Sequence, residues 1–167
     1  MSTFVDKLDA AVEANQSLLC IGLDPDPARM PIRDVAEFTR HVVEATSDLV
    51  CAYKPNLAFY EALGVEGMKI LESTLGDIPS RIVTIGDGKR GDIGSTAEAY
   101  ARSMFENFGF DAITVNPYLG HDSMMPFFGY EEKGIFVVCR TSNPGGRDFQ
   151  DLPVLVGDSQ SPLYQWV

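Results

Sequence analysis

The sequence predicts an α/β fold built on a parallel sheet, and three observations carry that prediction. Residues 17–23, 49–53, 81–85, 112–116 and 134–140 form five short apolar runs, most of them rich in β-branched residues. They are apolar throughout rather than alternating, which is the pattern of strands covered on both faces. Stretches with helical spacing separate them, and polar residues gather at the carboxyl end of each run: Asp24, Lys54, Asp87 with Lys89, Asn116 and Ser142. That edge carries the active site in doubly wound sheets and in (β/α)8 barrels alike, so the pattern leaves both open.

The elements follow in order. Phe4, Val5, Leu8, Ala11 and Val12 recur at spacings of three and four, giving an amphipathic helix over 3–14. The first strand stops at Asp24-Pro25-Asp26-Pro27, where proline forbids continuation. A helix over 34–47 leads to the second strand, which closes on Lys54-Pro55-Asn56. Residues 57–75 read as a helix interrupted at Gly64, with Gly76 as its C-cap. Beyond the third strand, Ser95 with Glu98 forms a capping-box pattern for a helix reaching about Phe108. A weaker helix over 122–132 contains Pro126. Residues 141–146 read as a mobile loop, 148–161 as loop, and 162–167 as the first turn of another helix.

Composition bounds the function. With 167 residues, 45% hydrophobic and 22% charged, the chain fits one globular domain. Its net charge of −11 disfavours nucleic acid and anionic membranes as partners, so an anionic substrate requires a locally positive pocket. Cys20, Cys51 and Cys139 lie in apolar runs without C-x-x-C spacing, and are expected as buried free thiols in a reducing cytoplasm. No signal peptide or membrane-length run is apparent, and His41 and His121 lack a second ligand at metal spacing, so no metal is expected.

The densest chemistry lies between Arg81 and Ala101. Side chains two apart on a strand share a side, so Asp87 and Lys89 are expected on one face with Val83 and Ile85. Gly86 to Gly91 satisfies G-x-G-x-x-G after a strand. A dinucleotide site nevertheless needs a helix opening directly at those glycines, whereas this helix begins near Ser95 and Asp87 would face the phosphates. Lys89, lying between Asp87 and Asp92 in sequence, is instead expected to stay protonated and act as a proton donor, with Lys54 balancing the second carboxylate.

D-G-K-R-G-D-I-G-S-T-A-E-A-Y-A at 87–101, with L-D-P-D-P, Y-K-P-N, V-N-P-Y-L-G and R-T-S-N-P-G at the other strand tips, resembles the orotidine 5′-phosphate decarboxylase family in its bacterial branch. The resemblance implies a cofactor-free (β/α)8 barrel enzyme of pyrimidine biosynthesis, a homodimer that converts orotidylate (OMP) to uridylate (UMP) and carbon dioxide at sites shared between subunits. It places Lys54, Asp87, Lys89 and Asp92 in the family's catalytic array, with Asp92 supplied by the partner subunit and Lys89 protonating C6. It also assigns Asp24 and the partner's Thr96 to ribose hydroxyls and Ser142 to the pyrimidine. Gly88 departs from the pattern, since an apolar side chain is usual there and glycine would loosen the strand tip.

Five strands cannot close an eight-stranded barrel, and the family's phosphate-binding residues would fall beyond Val167. Residues 1–167 are therefore expected to form a single partial (β/α) barrel domain, an amino-terminal portion with weak activity or none alone. Two other readings stand beside this one: a Mg²⁺-dependent phosphosugar decarboxylase or synthase of the same superfamily, and a non-catalytic fragment that folds by association through its open sheet edges.

Overall fold

The structure, a computed structural model, describes residues 3–167. Helix α1 (Phe4–Asn15) opens on a capping box in which the Thr3 hydroxyl accepts the Asp6 N–H and the Asp6 carboxylate accepts the Thr3 N–H. There follow β1 (Cys20–Leu23), α2 (Val35–Thr46, capped by Asp34), β2 (Ala52–Pro55), α3 (Leu57–Glu61) and α4 (Gly64–Asp77). Then come β3 (Val83–Arg90), α5 (Gly94–Arg102), β4 (Ala112–Val115), α6 (His121–Phe128) and β5 (Gly134–Val137).

The five strands make one parallel sheet in the order β1-β2-β3-β4-β5. That order decides between the two architectures left open by the sequence. A doubly wound sheet reverses direction at a switch point, whereas right-handed crossovers that always advance place every crossover helix on the same face. Leu23 and Tyr53 pack with Val43 of α2, and Ile113 and Val115 pack with Tyr60, Leu71, Ala97 and Phe127 of α3 to α6. This is the winding of a (β/α)8 barrel, of which five strands are present.

The opposite face is covered at one end only. Helix α1 lays Phe4, Leu8, Ala11 and Val12 against Ala52, Val83, Ile85 and Ala112 at the amino-terminal half of the sheet. Gly134 permits this approach, because a Cβ there would lie 2.8 Å from the Phe4 ring and from the Ala112 Cβ. The carboxyl half of that face stays open. Continuous apolarity therefore signals two-sided cover only for the central strands; β1 and β5 are sheet edges, where Cys20 and Phe136 are exposed. Cys139, just past β5, is exposed as well, so only Cys51 is the buried thiol expected of all three.

Several boundaries differ from the sequence reading. Gly64, at φ +65, interrupts the 57–75 helix as expected, dividing it into α3 and α4, but α4 runs through Gly76 to Asp77. The stop is Ile78, forced into extended backbone by Pro79. Helix α5 starts at Gly94, whose φ of +52 turns the chain directly into the helix. Ser95 thus lies inside the first turn, and no side-chain cap forms. The 141–146 loop is ordered around the Gln150 carboxamide, whose Oε1 accepts the Thr141 N–H at 2.7 Å, and it enters a 3-10 turn at Pro144–Asp148. Beyond it the expected loop and helix are replaced by a hairpin, β6 (Pro153–Val156) and β7 (Ser159–Pro162), then a 3-10 turn, Leu163–Gln165. Gly157 at φ +60 supplies the positive dihedral that this two-residue turn needs.

Candidate active site

The open half of the inner face carries the charged residues, and an irregularity in β3 aims them. Gly86 pairs with Ile113 and Arg90 with Val115, so four steps along β3 answer two along β4. This bulge lifts Asp87, Gly88 and Lys89 out of the regular ladder. Lys89 adopts φ +45, a conformation uncommon for a residue with a side chain and one that concentrates at functional sites.

Asp87, 9% exposed, lies between two lysines: its Oδ2 accepts from Lys54 Nζ at 2.8 Å and its Oδ1 from Lys89 Nζ at 2.6 Å. The Thr114 hydroxyl donates to the same Oδ1 at 3.0 Å and accepts the Lys89 backbone N–H at 2.9 Å. Burial alone would raise the Asp87 carboxyl. Hydrogen bonds from Lys54 and Lys89, the Lys54 charge and the Thr114 hydroxyl outweigh it and hold the pKa at about 2. One carboxylate against two ammoniums leaves a local net positive charge in a chain whose total is −11.

Within one chain, three of the four charged residues meet. Asp87 separates Lys54 from Lys89, and Asp92 takes no part in the array among the described residues. Asp92 follows Gly91 out of the strand and turns back on its own chain, accepting the Ile93 N–H at 2.8 Å. Asp24, past β1, is exposed and accepts from Asn56 Nδ2 at 3.3 Å, while Asn56 bridges to Asp87 through its backbone. Thr96 is exposed on the first turn of α5. Ser142 is exposed too; its neighbour Thr141 is the residue that faces the cavity.

That cavity, about 770 Å³, opens beside Lys89 and is lined by Asn116, Tyr118, Val138, Thr141 and Gln150 among others. The ammonium of Lys89, on a half-exposed side chain, therefore lies between a buried carboxylate and space for a ligand. No group of three or more metal-ligating side chains occurs among the described residues.

Sequence reasoning missed Thr114 and Arg90. Thr114 occupies an inward position two residues after Ala112, in register with the charged tip of β3, and a polar residue in an otherwise apolar run was the available signal. Arg90 ion-pairs with Glu61 and lies over the Tyr100 ring at 5.2 Å. A Cβ on Gly88 would meet its Nε at 3.1 Å, so the space beside Gly88 is filled by Arg90 rather than left loose.

A forward-wound parallel sheet with its crossover helices on one face, and a lysine–aspartate site at its carboxyl edge, define a protein of the α/β-barrel class. Residues 17–161 match the orotidine 5′-phosphate decarboxylase / HUMPS family, and the chain belongs to it. It is 54% identical to orotidine 5′-phosphate decarboxylase of Herpetosiphon aurantiacus over 167 residues, covering 96% of this chain and 61% of that protein. The corresponding protein of Thermomicrobium roseum is 51% identical, with 99% and 60% covered. Among solved structures, a putative orotidine-monophosphate decarboxylase from Toxoplasma gondii superposes with TM-score 0.90 at 44% identity, covering 98% of this chain and 56% of that one. The chain thus spans about 60% of the length of the curated relatives it matches.

Proposed function

We propose that this chain carries the catalytic array of an orotidylate decarboxylase, converting orotidylate to uridylate and carbon dioxide in pyrimidine biosynthesis. The observation that carries the proposal is Asp87 held between Lys54 and Lys89, with Lys89 lining the cavity. In the reaction the bond from C6 to the carboxylate breaks, carbon dioxide departs and the electron pair remains on C6. Lys89 donates its proton to that carbon and is reprotonated by water. A fixed ammonium about 4 Å from the developing charge contributes roughly 4 kcal/mol at an effective dielectric of 20. Because Asp87 holds Lys89 before substrate arrives, little reorganisation is needed at the moment of reaction. The remainder of the rate enhancement comes from binding remote parts of the nucleotide.

The same reading has Asp24 and Thr96 meeting ribose hydroxyls, Ser142 meeting the pyrimidine, and Asp92 and Thr96 serving the site of a second subunit in a homodimer. The orientation of Asp92 away from its own Lys89 supports this division. It also places the enzyme in the cytoplasm, which free cysteines suit; no helix among the described residues is long and apolar enough to cross a membrane.

The test is a single-turnover assay with protein in excess over orotidylate, following the loss of substrate ultraviolet absorbance with and without EDTA. Conversion above the uncatalysed rate, insensitive to EDTA and lost in Lys89→Ala, is expected. Conversion that requires Mg²⁺, or that proceeds at the same rate in Lys89→Ala, would overturn the proposal.

A further inference from the structure

We propose that Thr114 is a positioning residue for the charged array, its hydroxyl holding the bulge of β3 so that Lys89 and Asp87 keep one fixed relation to each other. The bulge takes the Lys89 N–H out of the ladder to β4 on an exposed stretch of backbone, where a side-chain acceptor is needed to hold it in one place. Thr114 Oγ1 accepts that N–H at 2.9 Å and donates to Asp87 Oδ1 at 3.0 Å. A hydroxyl has one proton and two lone pairs. The ionised carboxylate can only accept and the amide can only donate, so the proton of Thr114 has one possible assignment. The backbone of Lys89, in its strained φ of +45, is thereby tied to the carboxylate that grips its own ammonium 2.6 Å away.

Thr114 is suited to this by place as well as by chemistry. It lies on the inner face of β4 opposite the bulge, and its β-branched side chain has few rotamers to lose. A valine would fill the same space without a hydroxyl, leaving the Lys89 N–H unpartnered and the Asp87 carboxylate with the lysines alone. The charged groups around Asp87 are Lys54 from β2 and Lys89 on its own strand, with Asp24 reached through Asn56. None of them can replace a donor directed from β4.

The inference rests on the decarboxylase reading only for its effect on turnover, and the experiment separates the two. In Thr114→Val, exchange of the Lys89 amide hydrogen is expected to quicken at least about tenfold. The Asp87 carboxyl, followed by carbon NMR, should titrate above its position of about 2, and the urea midpoint should move little. With orotidylate, kcat should fall about tenfold with KM nearly unchanged, and Thr114→Ser should restore all three readouts. If the valine variant fails to fold, Thr114→Ala provides the same comparison. Unchanged Lys89 exchange and Asp87 titration in the valine variant, or a serine variant behaving like valine, would overturn the proposal. The exchange and titration shifts support the role of Thr114 whether or not the chain turns over orotidylate, and a Mg²⁺-dependent turnover would remove the decarboxylase reading alone.

Discussion

Two lysine–aspartate–threonine groups mark opposite ends of the same sheet, and they differ in kind. At the amino-terminal end, Lys7 of α1 reaches Asp111 Oδ2 at 2.6 Å, and Thr84 gives the same oxygen its backbone N–H at 2.8 Å and its hydroxyl at 3.1 Å. At the carboxyl end, Lys89 reaches Asp87 at 2.6 Å and Thr114 donates at 3.0 Å. The lower group has one ammonium for one carboxylate, with the side chains of Lys7 and Asp111 26% and 17% exposed. It fastens α1 to the sheet. The upper group has two ammoniums for one carboxylate, a bulged strand and a lysine side chain 52% exposed. The same residue types thus close a joint where charge is balanced and the backbone regular, and face a ligand where charge is in excess and the backbone is displaced.

Replacing the lysines shows the difference most sharply. Lys89→Ala should lower single-turnover decarboxylation at least about 100-fold, the range for a lost electrostatic contact, with a native circular dichroism spectrum. Lys7→Ala should leave that rate unchanged. Asp111→Ala reverses the pattern: it removes the partner of Lys7 and of two Thr84 donors, and should cost about 2 to 3 kcal/mol in urea unfolding without altering turnover per folded molecule.

Acid acts on the upper group through Asp87. Asp87 has a folded pKa of about 2, below its ordinary 3.8. Its contribution to stability is therefore complete above about pH 4 and is lost as the pH falls towards 2. In Asp87→Asn, urea midpoints should depend less steeply on pH across that window than in the wild type. The smallest expected effects come from two glycines. Gly134→Ala crowds the seat of α1 and should cost about 1 to 3 kcal/mol. Gly88→Ala meets the flexible end of Arg90 at 3.1 Å and should cost less than about 1 kcal/mol by the same measurement.

The five strands of the main sheet, their parallel arrangement and the polar carboxyl edge were legible because strand runs and proline stops are local signals. The alignment of Asp87 and Lys89 with Val83 and Ile85 follows from a period of two and survives the bulge, since the lower pair packs under α1 while the upper pair meets Lys54. The bulge itself was not legible. It depends on the register between β3 and β4, which is a relation between distant segments, and Thr114 acquires its role only through that register. The direction of the Asp92 carboxylate was not legible for a related reason: sequence spacing gives proximity along the chain, but Gly91 and the Ile93 N–H decide where the side chain turns. The hairpin after Leu152 was announced by Gly157-Asp158 between two four-residue runs, a short signal outweighed by the loop-like composition around it.

The proton-donor role of Lys89 can be tested directly by running the reaction in deuterium oxide with excess protein and reading the C6 position of the uridylate by proton NMR. Wild-type protein should yield uridylate deuterated at C6, and Lys89→Ala should form none above the uncatalysed rate. Deuterated uridylate formed by Lys89→Ala at the wild-type rate would contradict the assignment.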